Sequence, residues 1–115
     1  MKPAEYFRNN ITSLLNLIEL SRSYLGKSSI VFSSSCTVYG EPDPENLPIS
    51  EKAPVKEATS PYGRTKQICE DILKDCTRAY PELKAIALRY FNPIGAHPSG
   101  LIGENPSGVP QNLVP

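Results

Sequence analysis

The sequence predicts an α/β chain, part of a doubly wound parallel sheet, from three observations. Two short apolar runs, Ile30–Phe32 and Ala85–Leu88, have the length and content of buried parallel strands. An amphipathic repeat precedes the first run, and a stretch with a helix-start signature lies between the two. Helix, strand, long loop, helix, strand is half of a parallel α/β sandwich. Two strands cannot cover both helices. The expectation is therefore a partial fold of two helices, two strands and loops, with residues 1–115 forming an incomplete domain.

The elements follow in order. From about Ala4 to Leu25, the residues Ile11, Leu14, Leu15, Leu17, Ile18 and Leu25 make a wide apolar helical face, with Asn16, Glu19 and Arg22 elsewhere. Gly26 is a C-cap residue. On the residues alone, Asn9 and Asn10 read as a solvated turn. The first strand runs into Ser33-Ser34-Ser35-Cys36-Thr37. Hydroxyls there face the crevice where open α/β sheets bind ligands. Serines also satisfy backbone groups where a strand stops, and both readings stand.

Gly40 to Thr59 is rich in proline and acid, without periodicity, and reads as a solvated surface excursion. Ser60 is an N-cap and Pro61 suits the first helical position, so a helix runs from Pro61 to about Ala79. Ile68, Ile72 and Leu73 are its core candidates. Glu70, Asp71, Lys74, Asp75 and Arg78 form its wet side. Pro81 ends it. Beyond Pro93 the chain is rich in glycine and proline, with Asn92, His97, Gln111 and Asn112 as polar landmarks.

Composition narrows the function. The 115 residues carry 12 basic and 12 acidic side chains, so no basic stripe points to nucleic acid. No apolar stretch approaches the ~20 residues of a membrane span. His97 is the sole histidine, and the acids of the excursion have no His or Cys beside them, so no metal site is expected. Cys36, Cys69 and Cys76 are odd in number. Cys69 and Cys76 stand two helical turns apart, too far to bridge, and each cysteine reads as a small apolar residue. A reducing, cytoplasmic compartment fits.

Tyr62 and Lys66 sit four apart, one above the other on one helical face. A phenol has an ordinary pKa of ~10, and a nearby ammonium favours the phenolate. The pair can serve as a general base and the cation that primes it. Spacing alone is weak, because Tyr80 and Lys84 repeat it across the helix-breaking Pro81. The capped helix start and the serine run ending at Ser35 single out the first pair.

Three segments then meet: Phe32-Ser33-Ser34-Ser35-Cys36-Thr37-Val38-Tyr39-Gly40, Ser60-Pro61-Tyr62-Gly63-Arg64-Thr65-Lys66, and Arg89-Tyr90-Phe91-Asn92-Pro93 continuing to Gly100. Together they resemble the middle portion of the UDP-glucose (UDP-galactose) 4-epimerases, in the extended short-chain dehydrogenase/reductase family. The likeness runs from Lys2 to Pro115 and implies a partial Rossmann-like fold. It implies NAD as cofactor, UDP-galactose and UDP-glucose as substrates, and a homodimer in the full-length family member.

By the same resemblance, Tyr62 would take the sugar 4-hydroxyl proton as hydride passes from C4 to NAD. Lys66 would lower the Tyr62 pKa and hold the nicotinamide ribose, and Ser35 would hydrogen-bond the reacting oxygen. Rotation of the 4-keto intermediate would return hydride to the opposite face. Asn9, Tyr90 and Phe91 match positions near NAD; Asn92, Asn112 and Leu113 match positions contacting the UDP-sugar. The resemblance thus replaces the solvated-turn reading of Asn9.

The family's glycine-rich phosphate loop, its acidic ribose-binding residue and its C-terminal uridine grip are not among these residues. Gln111 stands where asparagine is common in the family. Two alternatives remain: a non-catalytic fragment with at most a pairing role, or a related sugar-nucleotide dehydratase or decarboxylase. A dehydratase would be expected to show an acid just after the serine/threonine motif, where Cys36-Thr37 has none.

Overall fold

The structure is a computed structural model that describes residues 2–103 and 108. The first helix forms as three windings of one rod: α1 (Pro3–Phe7), a π-helical turn (Arg8–Thr12) and α2 (Ser13–Leu25), capped by Gly26. Strand β1 (Ser28–Ser35) follows, then a 3₁₀ turn (Cys36–Tyr39) and the excursion with a second 3₁₀ turn (Pro44–Asn46). Helix α3 (Pro61–Ala79) leads into β2 (Leu83–Tyr90). The strands pair in parallel, from Ser28 against Leu83 to Ser35 against Tyr90.

The ends of α3 are those its sequence specifies. The Ser60 hydroxyl accepts the Gly63 N–H at 3.1 Å, Pro61 occupies the first turn, and the Tyr80 amide closes the last turn on the Cys76 carbonyl. Both helices lie on one sheet face. There Leu14 and Ile18 of α2 meet Ile30 of β1, Cys69 and Leu73 of α3, and Leu83 of β2. Cys69 is fully buried, as a small apolar residue should be. Ile72 packs against this core, whereas the core candidate Ile68 is only partly buried and stands outside it.

The strands are longer than their apolar runs, because the serines at the end of β1 join the ladder. They are not the buried strands expected. Val31 is 66% exposed and Ile86 56%, and only Leu83 of β2 is buried. The layering accounts for Val31 and Ile86, whose face nothing covers among the described residues. On the other face α2 and α3 bury Ile30 and Leu83 but leave Ala85 and Ala87 exposed. Among those residues no helix is long and apolar enough to cross a membrane.

The excursion is tied down more firmly than a solvated loop. Val38, Tyr39 and Ala53 form a second small core with Ile49 beside it. The buried Gln67 amide of α3 donates to the Val38 carbonyl at 2.9 Å and the Lys56 carbonyl at 2.6 Å. Gly40 allows the chain to return. Its φ of 62° and ψ of −140° suit glycine, and a Cβ there would lie 2.4 Å from the Glu57 carbonyl oxygen.

Candidate active site

The C-terminal end of β1 and the first two turns of α3 build the site. Ser35, nearly buried, caps the 3₁₀ turn, and its Oγ accepts the Thr37 amide at 3.3 Å and the Thr37 hydroxyl at 3.0 Å. Two accepted bonds leave the Ser35 proton to give. Thr37 also abuts α3. At Gly63, directly after Tyr62, a Cβ would lie 3.1 Å from the Thr37 carbonyl oxygen, so the missing side chain sets how closely the tyrosine turn approaches the serine turn.

Lys66 joins the strand end to the tyrosine. Its Nζ donates to the Ser33 carbonyl at 2.8 Å, and lies 4.9 Å from the Phe32 ring centre and 5.5 Å from that of Tyr62. Burial pushes the Lys66 ammonium below its ordinary value, with Cys69 opposing. Burial likewise pushes the Cys69 thiol up, which keeps its proton available to the Asn10 carbonyl at 3.7 Å. Among the described residues Lys66 makes one hydrogen bond, and an ammonium has three donors.

Tyr90 and Phe91 are exposed at the matching end of β2, with Asn92 exposed beyond them. They reach the same edge as Ser35, since Tyr90 is its partner in the ladder. Asn9 is exposed in the π turn. Asn10 is not the solvated residue expected; its Nδ2 donates to the buried Thr65 Oγ1 at 2.8 Å. Asn112 and Leu113, with Gln111, lie outside the described residues. His97 accepts the Ser99 amide at Nδ1, 3.2 Å away, and so is a loop histidine engaged by its own turn. Among the described residues no cluster of His, Cys, Asp or Glu could hold a metal.

Sequence reasoning missed several participants. Glu70 is not on a wet side. Arg89 donates to it twice, from Nε at 2.9 Å and Nη2 at 2.6 Å, and Ser34 Oγ donates at 2.5 Å. Burial alone would raise the Glu70 carboxyl, but the Arg89 and Ser34 bonds and the Arg89 charge outweigh it and hold the group below its ordinary value. The bond to Glu70 likewise raises Arg89, whose guanidinium also covers the Tyr39 ring at 4.8 Å. The residue next to Ser35 is thus anchored to the residue next to Tyr90. Tyr6 was missed too; its ring meets that of Tyr62 edge-on, with centres 6.0 Å apart. The spacing of Tyr6 and Asn10, four apart on the rod, was the available signal.

The family model of the NAD dependent epimerase/dehydratase family matches residues 1–113. The chain belongs to this family. Among relatives, a UDP-glucose 4-epimerase of Pasteurella multocida is 54% identical over 114 residues, covering 99% of this chain and 33% of that protein. The UDP-glucose 4-epimerase of Mus musculus is 48% identical, covering 99% of this chain and 32% of that protein. The chain thus spans about a third of the length of the curated relatives it matches. A crystal structure of UDP-glucose 4-epimerase from Bifidobacterium longum, in complex with NAD+ and UDP, superposes with a TM-score of 0.86 at 49% identity. It covers 97% of this chain and 32% of that one. The partial Rossmann-like fold expected for this epimerase/dehydratase family member is the one observed.

Proposed function

We propose that these residues are the middle third of a UDP-glucose 4-epimerase that interconverts UDP-galactose and UDP-glucose with NAD. The observation that supports the reading is the Lys66 ammonium, which donates to the Ser33 carbonyl two residues before Ser35 and lies 5.5 Å from the Tyr62 ring centre. The relatives of the same name supply the chemistry to compare it with.

The residues present fit half of NAD. Lys66, with donors to spare beside the Ser33 carbonyl, suits the hydroxyls of the nicotinamide ribose. Asn9, exposed in the π turn, and Tyr90 and Phe91, exposed at the end of β2, are the further contacts by the family resemblance. The diphosphate has no glycine-rich cradle among residues 1–115. When bound, NAD accepts and returns the hydride at the substrate C4.

This chain handles the proton. Tyr62 takes it from the sugar 4-hydroxyl, with the Lys66 ammonium 5.5 Å from its ring centre. The Ser35 hydroxyl donates to the same oxygen and holds it within reach of Tyr62. Asn92, Asn112 and Leu113 contact the UDP-sugar. The exposed Leu17, Leu20 and Tyr24 of α2 form the apolar row that meets a second copy in a homodimer. The three free thiols accord with a cytoplasmic setting.

A hybrid enzyme tests this reading. The 115 residues replace the matching segment of the Pasteurella multocida UDP-glucose 4-epimerase, and conversion of UDP-galactose is followed. Turnover within about tenfold of the parent enzyme is expected, and the 115 residues alone should give none. A folded hybrid that binds NAD but does not turn over would refute the assignment of Ser35, Tyr62 and Lys66.

A further inference from the structure

The three serines that end β1 each meet a different partner. The Ser33 carbonyl accepts the Lys66 ammonium, the Ser34 hydroxyl donates to Glu70, and the Ser35 oxygen accepts from Thr37. Ser34 is turned to α3 and is only 3% exposed, so a ligand cannot reach it. Its route to the chemistry is the peptide it shares with Ser35.

Glu70 stands one helical turn beyond Lys66, as Lys66 stands one turn beyond Tyr62. The same helical face that carries the tyrosine and the lysine thus also carries a carboxylate aimed at the strand end. Arg89, the ladder partner of Ser34 on β2, donates to that carboxylate twice. Its guanidinium also covers the ring of the buried Tyr39. Ser34 comes just before Ser35, and Tyr39 closes the 3₁₀ turn that Ser35 caps. One ion pair therefore brackets the serine turn, with the carboxylate at its entrance and the guanidinium at its exit. An ionised carboxylate only accepts, so the Ser34 hydroxyl must donate. A polar network with every member paired fixes a geometry, because any shift leaves a group without its partner.

We infer that Ser34 and the Glu70–Arg89 pair are positioning residues for Ser35 in the reaction proposed above, on which this inference rests. By holding the turn at both ends, they fix where the Ser35 oxygen sits and where its proton is offered. They act through the backbone of the serine turn and not on the substrate.

The test uses the hybrid enzyme with Ser34→Ala, alone and together with Ser35→Ala. Misplacing a reacting group by an ångström costs up to about 100-fold, so Ser34→Ala alone should lower kcat by about 10- to 100-fold. KM should hold within about twofold. In a hybrid already carrying Ser35→Ala, the same change should cost less than about twofold, since no hydroxyl is left to position. A second reading needs no turnover. The Thr37 amide donates to the Ser35 oxygen, so its hydrogen exchange should quicken about tenfold or more in Ser34→Ala. A loss of kcat as large with Ser35→Ala as without it, or an unmoved Thr37 amide, would overturn the inference. If the unsubstituted hybrid is inactive, the proposed function fails and the Thr37 amide alone decides this one. If Ser34→Ala does not fold, Glu70→Gln is read by the same measurements.

Discussion

Replacing Glu70 by glutamine tests the tie between β1 and β2 most directly. The substitution keeps size and shape but removes the charge that two Arg89 N–H groups and the Ser34 hydroxyl address. It also turns an amide N–H₂ toward a donor. Hydrogen bonds to charged groups contribute about 1.5–3 kcal/mol, and breaking a fully buried pair costs about 3–5 kcal/mol. The Glu70 and Arg89 side chains remain 17% and 24% exposed, which places the expected loss at about 2–3 kcal/mol. Since ~1.4 kcal/mol is a factor of ten, amides at 33–39 and 86–91 should open about 30- to 140-fold more often.

Hydrogen exchange of the hybrid enzyme, corrected for intrinsic rates, reads that factor. It also reads the pH dependence. Glu70 is held more acidic in the folded chain than its ordinary value of 4.5, so its contribution is complete above that value. It is lost as pH falls through the lower folded value. Protection at the two strand ends should therefore decline on acidification below about pH 4.5, and Glu70→Gln should remove that part of the decline. Acceleration under about threefold at neutral pH, or an acid response unchanged by the substitution, would refute the argument that this pair anchors the strand ends.

Two further outcomes are expected of the hybrid. Tyr62→Phe should lower kcat far more than it raises KM, because the lost hydroxyl acts on a proton in transit; unchanged turnover with collapsed binding would make Tyr62 a binding residue. Gly40→Ala, forced to positive φ against the Glu57 carbonyl, should cost about 1–3 kcal/mol and expose the excursion to limited proteolysis, and an unchanged cleavage pattern would count against the close approach.

Much of this was legible in the residues. The α3 boundaries follow from a serine that caps, a proline that begins and a tyrosine–proline pair that ends, all local chemistry. The alternation of helices and parallel strands follows from apolar runs of different period. What stayed hidden depends on partners distant in sequence. Glu70 looks solvated on a helical wheel because its arginine arrives only 19 residues later, on another strand. Asn10 looks like half of a wet pair until its π turn directs it to Thr65, and no local signal marks that winding. Exposure of Val31 and Ile86 could not be foreseen either, since a β-branched run signals a strand without saying how many of its faces are covered.

The Gln67 amide has one more consequence. By bonding the Val38 and Lys56 carbonyls together, it joins the two ends of the excursion, which then behaves as a closed loop clasped to α3 near its base. For such a loop the entropic cost of extra length is logarithmic, about 0.6 kcal/mol for each doubling. Residues inserted around Glu41–Glu45 would lengthen the ring without moving its clasp. The excursion can thus drift in length over evolutionary time while the tyrosine turn beneath it stays in register.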